Sequence, residues 1–118
     1  MRKRRVVITG MGAATPLGGN VAETWKGLIA GRSGIGPITL FDASTFPTRI
    51  AGEVRTSDPA RWSARGEEFS QLGRNSLFAL DAAAEAMKDA GLSAGEDSRR
   101  LGVYFGAGDG GFDFPKYA

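Results

Sequence analysis

The 118-residue chain has no cysteine and no histidine. Without cysteine there are no disulfides, no thiolate metal sites and no thiol nucleophile. Without histidine the commonest general base and the commonest transition-metal ligand are gone. Long apolar runs are also missing, so no stretch is long enough to span a membrane. A secretory leader is excluded on similar grounds: Val6, Val7 and Ile8 follow a basic start, but Thr9, Gly10, Gly12, Thr15 and Pro16 interrupt any apolar h-region. With no export signal, the expected location is the cytoplasm.

Net positive charge comes from the N-terminal tip. Arg2, Lys3, Arg4 and Arg5 carry four positive charges, and removing them turns the formal +2 into −2. No basic face with interleaved aromatics follows, which argues against nucleic-acid binding. Ser33 and Ser76 have no adjacent base. Asp81 and Glu85 stand four apart on one helical face, a spacing that suits acid/base work but more often marks a solvated face.

What is abundant is glycine: 18 residues, clustered at the ends of apparent elements. The order of elements is strand, helix, strand, long helix, strand, which is α/β layering. The first strand is expected at about Arg5 to Thr9, its three β-branched aliphatics suiting a strand covered on both faces. A helix follows from about Val21 to Ala30. Asn20 caps it, Glu23 completes a capping box, and Gly31 ends it. Val21, Trp25, Leu28 and Ile29 form its apolar face. Arg49 to Val54 suits a short strand, and Asp58-Pro59 marks a break. A second helix is expected from about Glu67 to Ala90, with Gly91 at its stop. Its alanines, Ala82, Ala83, Ala84, Ala86 and Ala90, allow a neighbour to approach closely, and Gly73 marks a possible close contact. Leu101 to Phe105 is the last expected strand.

Two glycine loops need weighing. Gly10 and Gly12 after the first strand begin a dinucleotide pattern, but Thr15 stands where Gly or Ala belongs, and the helix opens only near Val21. The loop therefore reads as a structural corner. Gly106, Gly108 and Gly111 match G-x-G-x-x-G after a strand, yet Asp109 would point negative charge into a phosphate cradle, and Phe112-Asp113-Phe114-Pro115 is a poor helix opening. Glycines permitting a tight turn are the simpler reading.

Taken in order, several segments resemble the β-ketoacyl-acyl-carrier-protein synthases, type II-like members of the condensing-enzyme (thiolase-like) family. They are Arg4 to Gly12, Thr15 to Gly18, Trp25 to Ile35, Phe41-Asp42, Ala51 to Val54, Ala82 to Leu92 and Arg100 to Val103. The likeness runs over nearly the whole chain. It implies that residues 1–118 are the N-terminal part of a ketosynthase domain with a layered α-β-α-β-α fold, incomplete here. It also implies decarboxylative Claisen condensation of an acyl thioester with malonyl-acyl-carrier protein, by a Cys nucleophile and two His beyond these residues. No position of this chain inherits those three roles, and the chain alone is expected to be inactive. Implied partners are acyl carrier protein, acyl and malonyl thioesters, and a second copy in a homodimer; no metal or redox cofactor is implied.

One local role carries over from the resemblance: Gly108 and Asp109 match the turn that borders the acyl-chain pocket. An apolar residue is usual where Asp109 stands. A carboxylate there implies either a short or polar pocket, or a side chain turned away. Two other readings stay open: a non-catalytic, chain-length-determining partner that resembles a ketosynthase, and a nucleotide-binding oxidoreductase.

Overall fold

Asn20 starts the first helix, α1 (Val21–Ile29), as its side chain dictates: extended at φ −153° and ψ 170°, it accepts a hydrogen bond from the Glu23 amide at 2.8 Å through Oδ1. Glu23 reaches back to the Gly19 amide at 2.9 Å, one residue upstream of the cap. The other end closes on Gly31 at φ +62°, where the Gly31 amide bonds the Leu28 carbonyl and the Arg32 amide bonds the Gly27 carbonyl, each at 3.0 Å. This paired closure needs a left-handed residue, which glycine supplies without a Cβ clash. The computed structural model describes residues 3–93 and 98–108.

Two short strands follow. β1 (Ile35–Pro37) and β2 (Ile50–Gly52) pair antiparallel, with Ile35 opposite Gly52 and Pro37 opposite Ile50. β2 falls inside the expected strand; β1 lies in a stretch that reads only as a turn-rich connection. The break at Asp58-Pro59 is a helix start: Asp58 accepts from the Ala60 amide at 2.9 Å and opens α2 (Pro59–Ser63).

The single helix expected from Glu67 to Ala90 is divided. α3 (Glu67–Ser70) stops, and α4 (Arg74–Asp89) begins after Gly73, which sits extended at φ −68° and ψ 159° as the N-terminal cap. Glycine is costly inside a helix, by about 1 kcal/mol relative to alanine, and here it lets the chain change direction. α4 ends like α1: Gly91 at φ +68°, its amide on the Lys88 carbonyl and the Leu92 amide on the Met87 carbonyl. A 3-10 turn spans Ser98–Arg100.

Two expected strands do not form. Among the described residues, 5–9 and 101–105 form no strand and pair with no other segment. Strand formation depends on ladder partners, and no described segment supplies them. Their side chains face solvent: Val6 is 94% exposed and Tyr104 fully so. The apolar face of α1 is placed as its spacing requires but is largely uncovered, with Trp25, Leu28 and Ile29 each more than half exposed. Buried apolar residues among those described are Ala43, Trp62 and Leu77. The chain exposes 9918 Å², whereas a compact monomer of its mass would expose roughly 6,100 Å². No described helix is long and apolar enough to cross a membrane.

Candidate functional site

The first glycine loop lies on α4. A Cβ on Gly10 would overlap the Ala86 carbonyl oxygen and crowd Ala90; one on Gly12 would overlap the Ala82 carbonyl. The alanines of α4 thus do what their spacing suggests, and the loop glycines complete the close approach from the other side. Such backbone-to-backbone contact leaves no side-chain volume on either surface.

Carboxylates of α4 then take up the loop's amides. Asp89 accepts from the Met11 amide at 3.0 Å. Glu85 accepts from the Ala13 amide at 3.0 Å, and also from the Val21 amide at 3.0 and 3.2 Å through its two oxygens. Glu85 therefore holds both the loop and the first turn of α1, where a negative charge is favoured by the helix dipole. Next along the chain, Thr15 closes a small turn. Its amide bonds the Gly18 carbonyl at 2.9 Å, its hydroxyl accepts from the Leu17 amide at 3.1 Å, and it pairs with the Thr24 hydroxyl at 2.9 Å. The donors that a phosphate would require at Met11, Ala13 and Val21 are already engaged by the protein's own anions. This geometry is a structural corner and disfavours a nucleotide cradle. An open hollow of about 830 Å³ beside it is floored by Met11, Val21 and Trp25 and rimmed by Lys88 and the two carboxylates.

Asp81 and Glu85 are therefore not a solvated pair, as their spacing alone suggests. Asp81 is nearly buried and accepts from the Ser57 hydroxyl at 2.6 Å, the Trp62 indole N–H at 2.8 Å and the Arg61 guanidinium at 3.4 Å. The two side chains serve different neighbours and share no described proton path.

Sequence reasoning passed over Glu53. Its side chain, one residue after β2, is buried. The Thr39 hydroxyl and amide each donate to it at 2.7 Å, the Leu40 amide at 3.1 Å and Arg55 at 3.3 Å. The Thr39 bonds, with those from Leu40 and Arg55, outweigh desolvation and hold its carboxyl at about 2, against an ordinary 4.5. At Asp42 the Ser44 amide lowers the carboxyl pKa in the same sense. No group of three or more acidic side chains among the described residues is arranged to hold a metal ion.

The second glycine loop is less constrained. Among the described residues, nothing lies within 4 Å of where a Cβ on Gly106 or Gly108 would stand. Asp109 and Gly111 lie outside the described residues.

Residues 3–117 match the family model described as "Beta-ketoacyl synthase, N-terminal domain". The chain belongs to the beta-ketoacyl synthase family. Among relatives, the "3-oxoacyl-(acyl-carrier-protein) synthase 2" of Coxiella burnetii is 47% identical over 117 residues, covering 94% of this chain and 27% of that protein. The protein of the same name from Synechocystis is 43% identical over 112 residues, with the same two coverages. The chloroplastic "3-oxoacyl-(acyl-carrier-protein) synthase I" of Hordeum vulgare is 40% identical over 115 residues, covering 92% and 25%. A solved structure, "The ishigamide ketosynthase/chain length factor", superposes with a TM-score of 0.64 at 40% identity, covering 77% of this chain and 22% of that one. The ketosynthase, thiolase-like α/β fold follows from these matches. The chain spans about a quarter of the length of the relatives it matches.

Proposed function

We propose that residues 1–118 are the N-terminal part of a ketosynthase that joins an acyl thioester to malonyl-acyl-carrier protein by decarboxylative Claisen condensation. One observation carries the reading. A match over residues 3–117 to a ketosynthase family coincides with the complete lack of Cys and His in the chain. The acyl-accepting thiol and the imidazoles that steady developing charge then belong to residues outside these 118, and the chain by itself is inactive. Its contribution is scaffolding: Gly10 and Gly12 let the first glycine loop lie directly on the backbone of α4. The acyl carrier protein enters through the names of the relatives. The same reading makes the enzyme a cytoplasmic homodimer in fatty-acid or polyketide-type synthesis.

Gly108 and Asp109 are proposed to border the acyl chain. Gly108 carries no side chain, which lets a ligand approach its backbone closely. A carboxylate at residue 109 disfavours long alkyl chains, since each methylene excluded from burial forfeits about 0.8 kcal/mol. In the enzyme carrying its catalytic residues, Asp109→Ile is expected to raise kcat/KM by a factor that grows with acyl length. A uniform change, or none, places Asp109 outside the pocket.

A second reading has its own support in the "ketosynthase/chain length factor" likeness: a non-catalytic partner that sets chain length. The coding sequence following Ala118 separates the two. A Cys and two His there support the enzyme; a ketosynthase-like continuation without the Cys supports the partner. The oxidoreductase reading is disfavoured by the carboxylates on the loop amides.

A further inference from the structure

Positive side chains gather at the C-terminal end of α1. Lys26 stands in its last turn, Arg32 follows the Gly31 stop, and Arg55 comes from the segment after β2. With the Thr15–Gly18 turn they wall an open hollow of about 320 Å³. Arg32 is exposed, yet its guanidinium rests against α1: Nη2 lies 3.1 Å from where a Cβ on Gly27 would stand, and Gly27 is buried. The missing side chain at Gly27 makes room for it. Among the described residues, the side chains of Lys26, Arg32 and Thr56, which also lines the hollow, have no hydrogen-bond or ion-pair partner. Arg55 pairs with Glu53 through Nη2 at 3.3 Å. A guanidinium carries five N–H donors, so most of that fork stays available. The carboxylate in the wall, Glu23, is committed to the Gly19 amide. Three cations therefore line the hollow against one engaged anion.

We propose that this hollow docks an acidic peptide segment of a partner protein, its carboxylates spaced so that one meets each cation. The planar fork of arginine takes a carboxylate bidentately, and Lys26 adds a point charge. A compact, multiply charged ion such as free phosphate fits less well. The Glu23 carboxylate and the negative end of the α1 dipole both oppose a concentrated negative charge there. Carboxylates spread along a peptide avoid that penalty. Exposed cations of this kind attract at long range, so the association is sensitive to salt. Docking here is independent of the condensation chemistry.

The test uses the complete protein and a fluorescein-labelled peptide of alternating glutamate and serine, read by fluorescence anisotropy. Saturable binding is expected, and it is lost when glutamine replaces the glutamates. Lys26→Gln and Arg32→Gln should each weaken it about threefold, as for an exposed ion pair, and the double variant about tenfold. Lys88→Gln removes a cation outside the hollow and should leave the affinity unchanged. If Arg32→Gln lowers the melting temperature through its seat on α1, Lys26→Gln, at an exposed helix position, decides. No binding by the complete protein, an unchanged affinity in the double variant, or equal weakening by Lys88→Gln overturns the proposal. So does inorganic phosphate that displaces the peptide better than chloride at matched ionic strength, since the site then takes compact anions.

Discussion

Gly12 lies so close to the Ala82 carbonyl that residue 12 has no room for a Cβ. The obstructing atoms are helix backbone, which cannot rotate out of the way as a side chain can. Gly12→Ala is therefore expected to destabilise the complete protein by about 2–3 kcal/mol, at the upper end for overpacking. Urea unfolding followed by ellipticity reads this. The same corner should leave NADPH and ATP without a site: titration calorimetry at millimolar ligand is expected to show no heat of binding. Saturable binding that Gly12→Val weakens would overturn the corner assignment.

Glu53 makes stability depend on acid. Its carboxyl is held at about 2 in the folded chain, below the ordinary 4.5. A depressed pKa means the folded state binds the proton less readily than the unfolded state. The stabilisation is thus fully present above about pH 4.5 and is lost as pH falls toward 2. The melting temperature of the complete protein should drop over that window. Glu53→Gln should flatten this part of the profile, and Thr39→Val, which removes the largest contributor, should shrink it. An unchanged profile in both variants would show that Glu53 is not the group responsible.

The uncovered apolar segments predict behaviour in solution. Val6, Val7 and Ile8, and Val103, Tyr104 and Phe105, present apolar side chains with unpaired backbone. Such surface binds dyes and seeks partners. The 118-residue chain is expected to bind anilinonaphthalene sulfonate and to elute from gel filtration as mixed species. A monodisperse monomer with a sharp melt and no dye binding would mean that these residues form a complete small domain.

How much of this was legible in the sequence follows from how local each feature is. Asn20, Gly31 and Gly91 act on neighbours within four residues, and the structure places all three at helix ends as their types require. The alanines of α4 and the glycines of the first loop were readable separately as sites of close approach. That they meet each other is a tertiary fact. The strand at residues 5–9 was misjudged because β-branched residues indicate suitability for a sheet, whereas the ladder needs a partner remote in sequence. The division of the second helix turned on Gly73, read as a contact and found as a cap. Glu85 and Asp81 looked alike in a helical wheel. Their separate duties depend on which loop arrives at each, and nothing in their spacing encodes that. Glu53 gave no signal at all, since Thr39 and Leu40 reach it only through the hairpin.

The central claim is that this chain belongs to a ketosynthase whose chemistry resides in residues beyond these 118. Incubating the 118-residue protein with acyl- and malonyl-acyl-carrier protein, and searching for the 3-oxoacyl product by mass spectrometry, tests it most directly. The account predicts no product above a protein-free control, since the chain holds neither the thiol nor the imidazoles the condensation needs. Product formed in proportion to added protein would contradict it.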